Sequence, residues 1–193
     1  MIVKSIEKND LDNICLIHKR SFDSSHFTSV LPFNVLKKYY DKIISNCEYK
    51  VMIYENDSNY PVGFAIGSKN VSGILNSFIR EQFFTLIFIL LKNPIFLFEK
   101  ISSIIFSFTS KEPTASKAEA VLLSISVNPE LEMRGKGLIV LSEFENVLKE
   151  AGIKTYNLGV RRSNKKAISF YKRNGFLLDY SVRESDYYIK TLS

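Results

Sequence analysis

A basic turn with two glycines lies between a predicted strand and a predicted helix. The turn is Met133-Arg134-Gly135-Lys136-Gly137-Leu138-Ile139, and it follows an apolar run, 121–127, that ends at Asn128-Pro129. Apolar residues recur at helical spacing in the next segment, 140–150, which predicts a helix with one apolar face. The first N–H groups of a helix lack acceptors within it, and the helix dipole adds positive charge at that end. Since the turn also carries two basic side chains, this order of elements predicts a diphosphate site.

A second motif begins after a short predicted strand at 157–160. Its pattern, Asn-x-x-Ala-x-x-Phe-Tyr-x-x-x-Gly-Phe, spans 164–176. Together the two motifs, within residues 122–176, resemble the GNAT superfamily of acetyl-CoA-dependent N-acetyltransferases. The segment Arg134-x-x-Gly137-x-Ile139 is similar to that family's pyrophosphate loop, in which Gly or Ala is usual where this chain has Ile139. A bulky side chain there leaves the backbone donors free but affects how closely a diphosphate approaches.

The resemblance implies that acetyl-CoA is the co-substrate and that it binds in a wedge between splayed fourth and fifth strands. The fourth strand would pair its backbone with the pantetheine arm, the glycine turn would hold the diphosphate, and Asn164 would hydrogen-bond the cofactor arm. The residues expected to bind the cofactor are Ile125, Ser126, Val127, Arg134, Gly135, Lys136, Gly137, Leu138, Ile139, Asn164, Ala167, Phe170 and Tyr171.

Two residues are expected to take part in catalysis. The resemblance implies that Tyr171 protonates the departing CoA sulfur, and a phenol with a pKa near 10 holds its proton at neutral pH; the alternative is that this ring only packs beside Phe170. Glu119, at the start of the fourth strand, is a candidate general base, and His26 is another. A carboxylate there could act directly or through a water, and Ser124 or Ser126 could orient such a water. Direct attack by the neutral fraction of the amine, followed by proton loss to water, needs no dedicated base.

The N-terminal half supplies the predicted elements that position this site. They are a strand at 2–6, helices at 10–20 and 32–44, and a strand hairpin at 49–55 and 62–68. The resemblance implies that the two helices and the loop between them form one wall of the acceptor pocket. Phe22, His26, Phe27 and Thr28 are expected to contact the substrate, although the loop could instead be a surface loop held by its phenylalanines. His18 is interpreted as a partly buried structural histidine.

An apolar insertion, residues 72–117, separates the third and fourth predicted strands. Its two apolar runs, 74–91 and 95–108, are divided by Lys92-Asn93-Pro94, and neither reaches the roughly 20 residues that a membrane-spanning helix needs. We predict a hairpin of two apolar helices. Such a surface must be covered, and the protein's own core, a second copy of the chain or a membrane interface would each serve. The segment Ile74–Phe108 is therefore the predicted site of peripheral membrane contact or of a homodimer.

The whole chain, 1–193, is expected to be a single domain of the α/β (α+β) class. We predict a GNAT-like, mostly antiparallel sheet of six to seven strands flanked by helices, with closing strands at 176–182 and 186–192. The net charge of +6 and pI of about 9.2 favour anionic partners. Nucleic acid is not expected, since no helix carries a basic stripe interleaved with aromatics. Cys15 and Cys47 lack metal-ligand spacing, so no metal site is expected. Two isolated cysteines are typical of reduced thiols in a cytoplasmic protein. Peripheral contact with the inner face of the membrane is the other location considered.

The function expected from these features is acetyl transfer from acetyl-CoA to a primary amine of a small molecule. An amino sugar is favoured because the insertion resembles that of a bacterial subgroup associated with surface-polysaccharide pathways. A polyamine, an antibiotic and a protein N-terminus are the other acceptors considered. The alternative is a catalytically idle module that binds CoA, a membrane or a partner.

Overall fold

In the computed structural model of the chain, the described residues are 1–22, 26–56, 60–97 and 116–192. Within them a seven-stranded sheet has the order β1-β2-β3-β4-β5-β7-β6. The strands are β1 Ile2–Lys4, β2 Tyr49–Tyr54, β3 Pro61–Ser68, β4 Ala120–Val127, β5 Thr155–Arg161, β6 Leu177–Val182 and β7 Ser185–Thr191. The helices are α1 Leu11–Ser21, α2 Phe33–Asn46, α3 Val71–Glu81, α4 Phe83–Leu91, α5 Lys136–Glu150 and α6 Lys165–Arg173. Short 3-10 turns occupy Lys8–Asp10 and Phe27–Val30.

The sheet is antiparallel except where β4 lies beside β5. That parallel pair is short, because only Ala120 with Tyr156 and Val121 with Asn157 are in register among the described residues. Beyond these pairs the two strands diverge. The predicted fold class, a mostly antiparallel sheet of six to seven strands flanked by helices, is confirmed.

Two hydrophobic cores lie on opposite faces of the sheet. The first contains the buried sides of α1 and α2, with Ile14, Leu36 and Phe64 among its members. The second packs α5 against the other face around Phe144 and Tyr156. Because apolar burial stabilises by roughly 25 cal/mol per Å², these two layers hold the sheet between the helices.

Gly67 allows α5 to lie directly against β3. A Cβ at this position would stand 2.6 Å from the Val121 carbonyl oxygen and 2.7 Å from the Phe144 ring. Since real Cβ contacts are longer, only glycine permits this approach. A Cβ on Gly63 would likewise stand 2.9 Å from Val140 and 3.1 Å from the Val127 Cα, so this glycine brings the start of α5 to the carboxyl end of β4.

A bulge in β4 changes which residues face each layer. Ile66 pairs with Ser124 while Gly67 pairs with Leu122, so Leu123 is the extra residue of β4. Leu122 and Ile125 therefore face the second core, while Leu123 packs toward the first. An extra residue of this kind re-aims the side chains that follow it, and it turns Ser124 toward α2.

The insertion differs from its prediction in one respect. The first apolar run is two helices, α3 and α4, bent by 81° at Gln82, rather than one. The bend lets Ile74 and Phe78 on α3, and Leu86 and Ile89 on α4, all pack on the first core. Residues 94–97 are helical, and most of the second predicted helix, 98–108, lies outside the described residues. Among the described residues, no single helix is long and apolar enough to cross a membrane. Helices α3 and α4 together have the required length and apolar content, but they are bent by 81°.

Candidate active site

The divergence of β4 from β5 opens a cavity of about 460 Å³. Its walls are the backbone and side chains of 122–127 on β4 and 158–161 on β5, the end of α1, and the first two turns of α6. Because the pairing ends at Val121, the β4 edge that faces β5 offers peptide N–H and C=O groups to an extended ligand. The predicted cofactor residues Ile125, Ser126 and Val127 all lie on this wall.

The glycine turn forms the N-terminus of α5. Gly135 adopts a left-handed conformation with φ of 74°, which glycine reaches without strain. The amides of Leu138 and Ile139 donate back to the Gly135 carbonyl at 2.9 and 3.1 Å. The amides of Lys136 and Gly137 are then the first-turn donors left for a ligand, as at any helix start. The turn therefore has the helix-start geometry that an anion site needs, and its binding of a diphosphate stays a prediction.

The two basic residues of the turn have different surroundings. Arg134 is exposed. The Lys136 ammonium instead turns inward, donating to the Asn128 carbonyl and, at 2.7 Å, to the Leu131 carbonyl. Its charge therefore holds the 128–135 segment in place as well as contributing to the local field. Ile139, the unusual residue of the motif, packs against the second core.

Helix α6 forms one wall of the cavity and also packs against the glycine turn. Asn164 caps the helix, its Oδ1 accepting from the Ala167 amide at 3.0 Å, which leaves the Nδ2 group as a donor. Asn164 and Ala167 are cavity walls. The Phe170 ring lies 3.6 Å from where a Cβ on Gly137 would stand. The structure thus brings the two sequence motifs together.

Tyr171 lies in the cavity wall and is 8% exposed. Its ring packs edge-on against Phe170 and Phe176, with centroids 5.4 and 5.3 Å away. Burial raises the pKa of the Tyr171 phenol to about 12, because the charged phenolate is poorly solvated there. The group is thus a protonated donor throughout the neutral range.

Of the predicted substrate residues, Phe22 and His26 lie in the cavity wall. Phe27 packs instead on the first core and edge-on against Phe96 at 5.6 Å. Thr28 follows it in the 3-10 turn Phe27–Val30. The structure therefore brings only the first two of these four residues to the cavity, and their contact with substrate stays a prediction.

Glu119 lies apart from the cavity. It is exposed, and its Oε2 accepts from the Lys154 amide at 2.8 Å. Its own amide donates to the Thr155 carbonyl at 3.0 Å. These contacts hold it at the end where β4 and β5 are paired. The cavity lies at the opposite end, where the strands diverge. The position of Glu119 therefore does not support a role as general base, and that role stays a prediction.

Several wall residues carry no signal in the sequence motifs. Arg161 and Ser185 come from β5 and β7, and Ser21 from the end of α1. The Ser21 hydroxyl donates to the Val127 carbonyl at 2.8 Å and so ties α1 to the end of β4. The sequence indicates Ser21 only as a polar residue at the end of an apolar helix face. The described walls contain Arg161 and His26 but no carboxylate.

Comparison with known proteins identifies the family to which this chain belongs. The acetyltransferase (GNAT) family model matches residues 16–176. The [ribosomal protein bS18]-alanine N-acetyltransferase of Salmonella typhimurium strain LT2 is 40% identical over 58 residues, 30% of this chain and 39% of that protein. The spermidine N(1)-acetyltransferase of Thermoplasma acidophilum is 34% identical over 85 residues, 44% of this chain and 52% of that protein. The chain therefore matches about half or less of each of these relatives.

Solved structures share the fold over nearly the whole chain. SsHAT superposes with a TM-score of 0.70 at 17% identity, covering 98% of this chain and 97% of that one. The PaiA N-acetyltransferase from Thermoplasma acidophilum, solved in complex with coenzyme A, gives 0.61 at 16% identity, covering 99% and 98%. At these identities the likeness is one of fold.

Proposed function

This chain belongs to the acetyltransferase (GNAT) family of acetyl-CoA-dependent enzymes, and we propose that it transfers acetyl from acetyl-CoA to a primary amine of a small molecule. The observation that carries this proposal is the cavity between β4 and β5. A free strand edge and a buried tyrosine, Tyr171, border that space, and the N-terminus of α5 lies against Phe170 of the helix that forms one of its walls. These three features match the needs of an extended amide-containing cofactor arm, a diphosphate and a leaving thiolate.

The cofactor would lie along β4 with its diphosphate at the start of α5. The amides of Lys136 and Gly137 would bind phosphate oxygens, aided by the helix dipole. The pantetheine amides would pair with the 125–127 backbone, and Asn164 Nδ2 would donate to the arm. The thioester would then reach the part of the cavity that Tyr171 borders.

The reaction is an attack of the neutral amine nitrogen on the thioester carbonyl carbon. Backbone N–H groups of β4 would stabilise the oxyanion that forms. As the C–S bond breaks, the CoA sulfur takes the Tyr171 proton, and the amine nitrogen loses its extra proton to water. Because the described walls hold no carboxylate, direct attack by the neutral amine is the route we favour, with His26 as the wall residue able to accept a proton.

We propose an amino sugar as the acceptor. The serine side chains of Ser21, Ser124 and Ser126 and the aromatic ring of Phe22 border the cavity, and hydroxyls beside an aromatic face suit a sugar ring. A polyamine fits this surface less well, because the described wall residues include no carboxylate with which a polycation could pair.

The test is calorimetry with acetyl-CoA on the native chain and on Tyr171→Phe. Thiol release is then measured with glucosamine, spermidine and a peptide with an N-terminal alanine. We expect both proteins to bind, and turnover to be fastest with glucosamine and lost in the variant. Equal turnover in both proteins would refute the donor role of Tyr171, and preference for spermidine would refute the amino-sugar acceptor. Binding without turnover of any amine would favour the idle CoA-binding module.

An exposed apolar surface on α4 supports a second role, contact with a membrane or a second copy of the chain. Phe84 is 84% exposed, and Leu91 and Ile95 are 63% and 75% exposed. Lys92 lies beside this surface, its ammonium 4.3 Å from the Phe88 ring centre. A cation next to exposed aromatic rings suits an anionic lipid headgroup layer. Part of the segment Ile74–Phe108, its residues 98–108, lies outside the described residues, and a cytoplasmic location with peripheral membrane contact remains a prediction.

Flotation with phosphatidylglycerol vesicles and light scattering separate the two occupants of this surface. Phe84→Ser should reduce flotation if the surface binds lipid, and should reduce the molar mass if it forms a dimer. Leu177→Ser is the matched control, because Leu177 is 72% exposed but lies on β6 at the edge of the sheet. A native chain that is monomeric and does not float would eliminate both partners.

A further inference from the structure

Three buried polar side chains form a chain from α1 to the cavity. His18 Nδ1 lies 2.8 Å from the Tyr40 hydroxyl oxygen, which lies 3.2 Å from Ser124 Oγ. Their exposures are 2%, 0% and 8%. A buried polar group costs free energy unless it is hydrogen-bonded. These three side chains therefore depend on one another for their hydrogen bonds. Only its last member, Ser124, reaches the cavity wall.

The histidine at the inner end is neutral. Burial lowers the pKa of His18 to about 4, and the nearby charges of Lys19 and His26 act in the same direction. The Phe22 ring stacks on the imidazole with centroids 4.2 Å apart, between it and the cavity that Phe22 borders. A shielded, neutral imidazole does not exchange protons with the substrate directly. It acts by fixing the group to which it is bonded.

The direction of the two hydrogen bonds follows from the imidazole tautomer. The Thr28 backbone interacts with the His18 ring in a way that favours a proton on it, while Nε2 has no partner within hydrogen-bond distance among the described residues. In the tautomer with its proton on Nε2, His18 offers Nδ1 as an acceptor for the Tyr40 O–H. Tyr40 then has only lone pairs to offer Ser124, so the serine O–H donates to it.

We propose that His18 carries its proton on Nε2, and that His18 and Tyr40 are positioning residues that orient Ser124 so that its oxygen lone pairs accept an N–H of the acceptor amine. Each hydroxyl has one hydrogen, and in this arrangement both hydrogens are committed inward. Ser124 therefore faces the cavity as an acceptor alone. A group of this kind holds an amine by its N–H and leaves the nitrogen lone pair free for the thioester.

The β4 bulge supports the same assignment. Since Leu123 is the extra residue, Ser124 turns toward α2 rather than toward α5. The end of α1, with Ser21 and Phe22, borders the cavity from that same side. Ser124 thus stands where the cofactor edge of β4 meets the proposed acceptor side. This inference rests on the proposed acetyl transfer.

A long-range ¹H–¹⁵N spectrum of the histidines tests the direction of the chain without any substrate. The sequence has two histidines, so a His26→Gln sample assigns the His18 signals. We expect the proton on Nε2 at neutral pH, and a shift of the Nδ1 signal in Tyr40→Phe. Tyr39→Phe is the matched control, since it removes a phenol from the adjacent position of the same helix. A proton on Nδ1, or an unchanged Nδ1 signal in Tyr40→Phe, would overturn the inference.

Kinetics with glucosamine test the consequence for the amine. We expect Ser124→Ala and Tyr40→Phe each to raise the KM for glucosamine by about threefold to tenfold, the worth of one hydrogen bond, with the acetyl-CoA affinity unchanged. In the Ser124→Ala background Tyr40→Phe should add nothing, because it acts through Ser124. Additive losses, or a fall in kcat alone, would contradict this role. A native chain that binds acetyl-CoA but acetylates no amine would refute the proposed function instead, and the tautomer spectrum would still decide the inference.

Discussion

Substitution of Gly137 tests where the cofactor diphosphate binds. A Cβ at Gly137 would lie 3.6 Å from the Phe170 ring, which is ordinary contact, so a side chain fits there. Aspartate in the first turn of α5 is also favoured by the helix dipole, by about 0.3–1 kcal/mol. Gly137→Asp should therefore fold normally, with a Tm equal to or above that of the native chain.

The same substitution should weaken cofactor binding through charge. A carboxylate about 5 Å from a phosphate charge costs about 1 kcal/mol at the dielectric of water and about 3 kcal/mol at an effective dielectric of about 20. Since about 1.4 kcal/mol is tenfold in affinity, the Kd for CoA should rise by about fivefold to about 150-fold. Calorimetry measures this change, and Gly137→Asn is the matched control because it has nearly the same shape without the charge.

Ionic strength separates charge from shape in this experiment. At 0.1 M salt the screening length is about 10 Å and at 1 M about 3 Å, so high salt should narrow the difference between the Asp and Asn variants. Two results would refute the reasoning: equal affinities in the native chain and Gly137→Asp, or a difference between Asp and Asn that salt leaves unchanged. Either would place the diphosphate away from the start of α5.

Three further predictions follow from buried groups. Tyr171→Phe should lower kcat by about 10²–10⁴-fold, as expected for a general acid, and because its pKa is raised to about 12 the native rate should not decline between pH 7 and 10 in stopped-flow assays; a decline would contradict the assignment. Gly67→Ala should lower the free energy of unfolding by about 1–3 kcal/mol or more in urea titrations, because its Cβ would collide with Phe144, and an unchanged midpoint would show that α5 packs differently. Burial alone raises the pKa of Asp10, but hydrogen bonds from the Glu7 amide, the Tyr54 hydroxyl and the Lys4 ammonium outweigh it and lower the pKa. The stability that Asp10 contributes is then present above its unfolded pKa near 3.9 and is lost as the pH falls through its lower folded pKa. On acidification, the free energy of unfolding of Asp10→Asn should therefore fall less steeply than that of the native chain, and identical pH curves for the two proteins would refute this linkage.

The sheet and its helices could be predicted because each has a local pattern. The strands at 49–55 and 62–68 were expected from apolar runs between turn residues, and they form β2 and β3 with bounds within a residue. Helix α5 follows from its apolar spacing after two glycines. Such patterns depend on neighbours in sequence, so composition and spacing are sufficient to indicate them.

The bend between α3 and α4 could not be read from the sequence. The run 74–91 has apolar residues on every side, and this gives a helix no preferred face. Packing on the first core decides the angle at Gln82, because that angle allows buried residues of both helices, Ile74 and Leu86 among them, to reach the same core. Long-range packing of this kind overrides local helical preference.

By itself the sequence determined the family, the glycine turn before a helix, and Asn164 and Tyr171 as members of a second motif, because these depend on residue types at fixed spacing. Only the tertiary structure decided which charges face the cavity. It turned Lys136 toward backbone carbonyls and held Glu119 against Lys154. It also joined His18 to Tyr40 across 22 positions and Tyr40 to Ser124 across 84. Hydrogen bonds between residues so far apart depend on how whole helices and strands pack, and no local pattern encodes that geometry.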